Sequence, residues 1–493
     1  MKKNFLTAGA IMVIAFLLAT TVAQAADVTF GGEFWTRYEV SERNDFDDGT
    51  HADTYIQSRV RLNANVNVND STSAFIQLHS NRTWGDNVEA SGAPQGVAGS
   101  QSVNDAVRDV GFHQAYFTLK NFAGLPLDMK AGRQEIILDG HRIFGNTLWT
   151  MGAHSHDAIR LNHKRDNLTF SYGFIQGTEE GPAASTATSF SDNTAVRTGD
   201  PNDTEDQTIQ FLYANIAGVL GGKLSTMYVY TADGCGAITD GQCRGGANDV
   251  HTIGFRQAGQ LFGLDYRGEY YYQFGDAQGA ALDGGTDGDQ GANPVQSRGF
   301  DNDGADVDRS AYMFGVRVGK QFKNVSMKPK LTLWYDYLSG TTDQDGADNQ
   351  WGSFETVFDT GHKFYGLQDV FLGVGTGSCA TGTCGLGLQD AAIKAQISPV
   401  AGWTVKADYH WLSTAEGIAG SPRRGNTNAT GGADDSELGQ ELDVTVVNKY
   451  NANTKIMLGY SHFTAGQALR DVRGATYGSD DANWFYTQIQ VGF

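Results

Sequence analysis

The chain is 493 residues long and carries a formal net charge of -20 at pH 7, with 36 Lys+Arg against 56 Asp+Glu. Nucleic-acid binding is disfavoured, since no basic patch stands free of the acidic stretches. The 63 glycines against 8 prolines, with 20 tyrosines and 27 phenylalanines, favour one large β-structure with glycine-rich loops over the several domains that length alone would allow.

The chain starts with Lys2 and Lys3, an apolar run over 5–22 and then Ala23-Gln24-Ala25. That order is a charged n-region, an h-region and an A-x-A cleavage site, so residues 1–25 are expected to be a secretory leader and 26–493 the mature protein. No later apolar stretch approaches the roughly 18–20 residues that a spanning helix needs. A mean hydropathy of -0.36 still permits a membrane protein, because barrel strands show lipid only every second residue.

From Val28 to Phe493 the sequence alternates polar and apolar in about eighteen short segments, an even number as bacterial barrels have. Short connections at 69–71, 121–124, 164–167, 258–260, 398–402 and 450–454 intersperse with long ones. The long ones include 85–108, 137–155, 177–206, 232–248, 275–308, 339–389, 413–439 and 464–483. Short periplasmic turns and long outer loops are the barrel pattern. The expected fold is therefore all-β, a transmembrane antiparallel β-barrel of about 18 strands.

Strand facing follows from parity. In 55–68, Gln57, Arg59, Arg61, Asn63, Asn65 and Asn67 share one face; Ile56, Val60, Leu62, Val66 and Val68 share the other. In a barrel of this size the polar face lines the lumen. The same rule sends Lys130, Arg160, Lys164, Arg256, Arg267, Arg317, Lys330, Lys394 and Lys406 inward. It also sends Asp128, Asp265, Glu269, Asp336, Asp408, Glu441 and Asp443 inward. Tyr266, Tyr270, Tyr272, Tyr335, Tyr337, Trp403 and Trp411 fall outward as an interfacial girdle. At the end, Gln488 and Gln490 oppose Phe485, Ile489, Val491 and the terminal Phe493. Such an aromatic last strand resembles the closing strand of bacterial outer-membrane barrels, where it also serves as the assembly signal. Barrel-assembly machinery, membrane lipid and lipopolysaccharide are the partners this implies.

The acid is concentrated in the long loops, notably 178–206, 275–308 and 340–369. The aspartates of 283–289, 301–304 and 343–346 look like fragments of calcium loops, but none completes the pattern with its terminal Glu. A solvated acidic loop is the simpler reading, and no cofactor is expected. Four cysteines fall in long loops as Cys235/Cys243 and Cys379/Cys384. In an oxidising compartment each close pair can form a small outward disulfide, although spacing leaves the crossed pairings open.

The densest motif runs Gly132-Arg133-Gln134-Glu135, Gly140-His141-Arg142-Ile143-Phe144-Gly145, Trp149, then Asp157-Ala158-Ile159-Arg160-Leu161. This G-R-Q-E … G-x-x-R-x-x-G … W … D-A-x-R-L series resembles the alginate-export family of outer-membrane barrels, specifically over 109–177. The resemblance implies an eighteen-stranded barrel with an arginine-rich constriction, through which an anionic uronate polymer leaves the cell. Arg59, Arg61, Lys130, Arg133, Arg142, Asp157 and Arg160 are the candidate pore residues. Guanidinium forks suit carboxylates, and several spaced cations can attract an anion without trapping it. The bland alternative is that Arg133, Arg142 and Arg160 pair with Glu135, Asp139 and Asp157 and fold the loop.

His154, His156 and Asp157 lie close in sequence, but no G-x-S-x-G accompanies them, so an enzyme is not expected. The leading expectation is an outer-membrane channel for an anionic polysaccharide or its oligomers, served by a periplasmic export scaffold. A general or anion-preferring diffusion porin, and an adhesin or matrix-anchoring barrel, are the alternatives. The inward acids, notably Glu269, Asp336, Asp408 and Asp443, argue against a strongly basic lumen.

Overall fold

Strict alternation gives every strand one apolar and one polar face, and a sheet with both faces so defined avoids exposed edges in lipid only by closing. A computed structural model describes residues 27–42, 46, 51–84, 110–178, 207–233, 238–239, 242–243, 249–277, 307–342, 344–345, 348, 350–376, 381–417, 436–477 and 480–493. It closes into an antiparallel barrel of eighteen strands.

The first half comprises β1 (Asp27–Ser41), β2 (Asp53–Asn67), β3 (Thr72–Thr83), β4 (Gly111–Leu119), β5 (Asp128–Gln134), β6 (His156–Arg165), β7 (Leu168–Thr178), β8 (Gln207–Val219) and β9 (Gly222–Asp233). A minor loop hairpin, β10 (Ile238–Thr239) with β11 (Gln242–Cys243), stands apart from the barrel. Then come β12 (Val250–Leu261), β13 (Leu264–Ala277), β14 (Val307–Gln321) and β15 (Lys330–Leu338). The two-residue β16 (Gln350–Trp351) adds to β14 in parallel. Last are β17 (Leu388–Ile397), β18 (Trp403–Ser413), β19 (Glu437–Lys449), β20 (Thr454–Ala465), helix α1 (Gln467–Tyr477) and β21 (Ala482–Gly492).

The seam joins β21 to β1, from Ser41 opposite Trp484 to Glu33 opposite Gly492. Phe493 continues it by exchanging backbone hydrogen bonds with Gly32, at 2.8 and 3.0 Å. Gly32 allows that approach: a Cβ there would stand 2.5 Å from the Arg61 carbonyl and 2.7 Å from the Phe493 ring.

The expected alternation of turns and loops is present. Leu220-Gly221 and Phe262-Gly263 both have positive φ throughout, which matches the right-handed twist of the strands they join. The turn expected at 258–260 is thus at 262–263. Leu261, Phe262 and Leu264 extend the apolar run and hide the turn in the sequence; Phe262 is 92% exposed. Parity predicts facing well. Phe34, Leu62, Ile159, Phe255, Val316, Leu333, Ile393, Trp411 and Ile489 lie outward and exposed, as lipid-facing side chains do. Outward rings form a stacked belt, including Tyr270–Tyr312, Tyr312–Tyr337 and Phe314–Tyr337.

If the seam depends on that close approach, Gly32→Val will lower the temperature at which the barrel loses its compact gel mobility. Gly268→Ala, where an added Cβ meets nothing within 4 Å, will leave that temperature unchanged.

Candidate functional site

The interior is not an empty cylinder. Residues 135–155, between β5 and β6, fold into it, as do most described residues of 339–387, between β15 and β17. Ile143, Phe144, Phe354, Phe364, Phe371 and Leu386 pack with wall residues such as Phe211, Met313 and Phe463 in one apolar cluster. The two loops also bond to each other. Phe358 N donates to Ile143 O at 3.0 Å, Gly145 N to Phe358 O at 2.7 Å and Thr360 N to His141 O at 3.0 Å. Gly145 is required at this crossing, since a Cβ would stand 2.2 Å from Thr360 Oγ1.

The first loop is bonded to strands right around the wall. Arg37 donates to Trp149 O at 2.8 Å, and Arg59 to both Leu148 O and Thr150 O at 3.1 Å. Glu135 accepts from Asn146 at 2.8 Å and meets His113 at 2.9 Å. Asp139 accepts from Tyr213 at 2.8 Å and Ser225 at 2.7 Å. Trp149 stacks on His362 of the second loop at 4.1 Å. Burial alone would raise the Glu135 pKa, but hydrogen bonds from His113 and Asn146 outweigh it and lower the pKa.

Arg142 is the most constrained of these residues. It is 2% exposed, lies 3.2 Å from Glu269, and bonds Asp336 and the Tyr365 hydroxyl. Its guanidinium sits 3.7 Å over the Phe364 ring. Burial would lower its pKa; Asp336, Tyr365 and Glu269 prevail and hold it well above the ordinary value. Glu269 and Asp336 are themselves almost fully buried. The other inward acids are also engaged. Asp390 meets His410 at 2.8 Å, and Asp408 meets Lys394 at 3.0 Å. Glu441 accepts the Gln368 N–H at 2.8 Å, and Asp443 that of Leu367 at 3.3 Å. Glu269, Asp336, Glu441 and Asp443 therefore hold the inward loops, Asp390 and Asp408 pair within the wall, and none of the six is free lumen charge.

The inward cations are less fully matched. Lys130 and Arg160 are cross-strand partners on β5 and β6. Lys130 Nζ rests 3.6 Å from the Tyr116 ring centre, and Arg160 donates to Ser171 at 3.1 Å. Arg256, Arg267 and Arg317 project from β12, β13 and β14, with Arg267 and Arg317 directly paired. Lys363, on the second loop, donates to Gly140 O at 3.2 Å and is exposed. Burial and then Arg267, Arg256 and Arg142 lower its pKa. Burial and then Lys363 push His141 down to about 4. Among the described residues, no ion pair links Lys130, Arg160, Arg267 or Lys363 to a carboxylate. The result is two basic clusters, flanking the point where Asp139 ties the first loop to β8 and β9.

Of the candidate pore residues, Lys130 and Arg160 face the lumen as expected. Arg59 and Arg61 also point inward, but they are 0% and 4% exposed, beneath residues 148–150 and beside Glu33. Arg142 is a buried clamp, and its partners are wall acids, not Glu135, Asp139 or Asp157. Arg133 and Asp157 pair at 3.0 Å on the outward face, level with exposed Ile159. Their parity opposes that of Lys130 and Arg160, so they do not line the pore. Lys363 was missed, because nothing in an irregular loop marks an inward residue. His79 on β3 and His113 on β4 approach to 5.2 Å between ring centres.

Cys384 is disulfide-bonded and 1% exposed within the interior cluster, so the outward placement expected of it does not hold. Cys379, the side chains of Cys235 and Cys243, the leader, the 85–108 loop and the aspartates of 283–289 and 301–304 lie outside the described residues. Among the described residues no cluster of His, Cys, Asp and Glu has the form of a metal site.

A closed eighteen-strand barrel with a charged, loop-filled interior defines a channel-forming outer-membrane protein. The chain belongs to the alginate export family, whose model matches residues 26–482. No curated protein matches it by sequence. Among solved structures it is similar to OccAB1 of Acinetobacter baumannii, at 14% identity and TM-score 0.53, covering 97% of this chain and 98% of that one. It is similar to OccAB4 of the same organism, at 10% identity and TM-score 0.53, covering 96% and 100%. OccK5 (OpdH) of Pseudomonas aeruginosa matches at 10% identity and TM-score 0.51, covering 95% and 98%. These likenesses concern the fold.

Removing Arg142 takes from Glu269 and Asp336 their closest cation and leaves them only Arg256 and Arg317 at 3.5–3.8 Å; breaking a buried pair in this way costs up to about 3–5 kcal/mol. Arg142→Met is expected to loosen both inward loops, measured as lost hydrogen-exchange protection over 136–146 and 354–366, with the barrel strands retained. A second expectation concerns pH. Asp359, part-buried in the second loop, has its pKa pushed up to about 7 by burial, against Arg142 and Thr356 and with Asp369. A raised carboxyl pKa stabilises the folded loop fully below the ordinary carboxylate pKa, and that contribution is lost as pH rises through about 7. Protection of 354–366 will therefore be higher near about pH 5.5 than near about pH 8, and Asp359→Asn will flatten the difference.

Proposed function

We propose that this outer-membrane channel passes an anionic polysaccharide or its oligomers. One observation carries the reading: the inward acids are engaged, Glu269, Asp336, Glu441 and Asp443 by the inward loops and Asp390 and Asp408 by neighbouring wall strands, while Lys130, Arg160, Arg267 and Lys363 have no carboxylate partner among the described residues. The net charge of -20 does not oppose it. Acids in solvated loops are screened over roughly 8 Å, while charges in a narrow low-dielectric lumen act at full strength on a passing ion. Family membership supports the polymer over a small solute. Passage needs no bond to be made or broken, so no residue is assigned a catalytic role.

In planar bilayers under a KCl gradient, the reversal potential is expected to show anion preference, and uronate oligomers to block the current. Lys130→Gln, Arg160→Gln, Arg267→Gln and Lys363→Gln together will remove both effects. Arg133→Gln, on the outward face, will change neither. Cation preference in the unmodified channel would favour a general porin with an acidic mouth instead.

A further inference from the structure

Beside Lys130 and Arg160 the lumen wall carries two aromatic rings. Tyr116 on β4 has the opposite parity to Phe117, which is 43% exposed on the outer face; Phe75 on β3 has the opposite parity to Ile76, 39% exposed. Phe75 and Tyr116 are therefore inward. They are cross-strand partners, with ring centres 5.5 Å apart and planes 39° apart. Both are only partly buried. Tyr116 lies opposite Gly132 of β5, whose missing side chain leaves its ring free to lie toward Lys130.

A ladder of amides adjoins the rings. Gln114 Nε2 donates to Gln77 Oε1 at 3.3 Å, and Gln77 Nε2 to Asn63 Oδ1 at 2.8 Å. On the other side, Arg160 Nε is buried and has no hydrogen-bond partner, although Nη2 is held by Ser171. The wall thus offers an aromatic surface, fixed amide groups and two cations without a counter-acid. A simple anion needs only the cations. Rings and amides are what a sugar adds: the C–H face of a pyranose packs on an aromatic surface, and its hydroxyls pair with amides. A carboxylate on the same ring suits the ammonium and guanidinium.

We propose that Phe75, Tyr116, Lys130 and Arg160, with Gln77 and Gln114, form a subsite for a single sugar ring that bears a carboxylate. It rests on the anionic-polysaccharide reading and adds that the lumen recognises the ring as well as the charge. Phe75 and Tyr116 are the specificity-determining residues; Lys130 and Arg160 hold the carboxylate.

Glucuronate and gluconate carry the same carboxylate charge, the first on a ring and the second on an open chain. Block of the single-channel current by each is measured for the full mature protein. Variants are Phe75→Leu and Tyr116→Leu, which keep apolar bulk, and Tyr116→Phe, which keeps the ring. All are first confirmed as heat-modifiable barrels. The unmodified channel is expected to bind glucuronate roughly ten-fold more tightly than gluconate. Each leucine variant will lose most of that preference, Tyr116→Phe will retain it, and none will shift the KCl reversal potential. Lys130→Gln will weaken both ligands. A ring preference that survives both leucine variants would overturn the subsite and leave the function standing. The same holds for an unmodified channel that uronate oligomers block but that does not distinguish glucuronate from gluconate. Failure of every uronate to block it would overturn the function and the subsite together.

Discussion

A carboxylate under a packed loop has to be paired or hydrogen-bonded, because an isolated charge there is too costly to keep. The inside of this barrel is arranged around that constraint. Glu269 and Asp336, on β13 and β15, both meet Arg142, delivered by the first inward loop, and are flanked by the wall arginines Arg256 and Arg317. Glu441 and Asp443 do the same for backbone N–H groups of the second loop. The apolar cluster supplies most of the packing between loops and wall. The charged contacts fix where along the wall each loop docks.

That arrangement decides what is left for a passing solute. Acids that hold loops are neutralised, so cations dominate the remaining lumen charge despite the acidic composition. Lys130 and Arg160 on one side, and Arg256, Arg267 and Arg317 on the other, follow from the same alternation that turns Ile159, Phe255 and Val316 to lipid, and the second loop adds Lys363. One periodicity thus produces both the membrane surface and the charged interior. The loops, in contrast, narrow the interior by contacts that have no periodicity.

The legibility of the sequence divides along that line. Strand count, closure and the facing of residues such as Arg160 or Trp411 depend on a local, period-2 rule and can be read directly. Arg133 and Asp157 could have been excluded by the same rule, since they share the parity of Met129 and Ile159. The turn at Phe262-Gly263 was hidden by apolar neighbours. Arg142 and its partners were not legible, because Glu269 and Asp336 lie 127 and 194 residues away along the chain. The inward course of the second loop, read as part of an acidic outer loop, depends on equally distant contacts. Of the acids counted as lumen charge from parity alone, Glu269, Asp336 and Asp443 are loop anchors and Asp408 is paired with Lys394 in the wall, and that reverses their meaning for selectivity.

The central claim is that Glu269 and Asp336 anchor loops and do not act as lumen charge. The most direct measurement is the single-channel conductance and KCl reversal potential of Asp336→Asn and Glu269→Gln. If the acids are anchors, each change will loosen the Arg142 clamp and give larger, noisier conductance with little change in reversal potential. If they are lumen charge, conductance will stay steady and the reversal potential will move toward stronger anion preference, which would contradict the account.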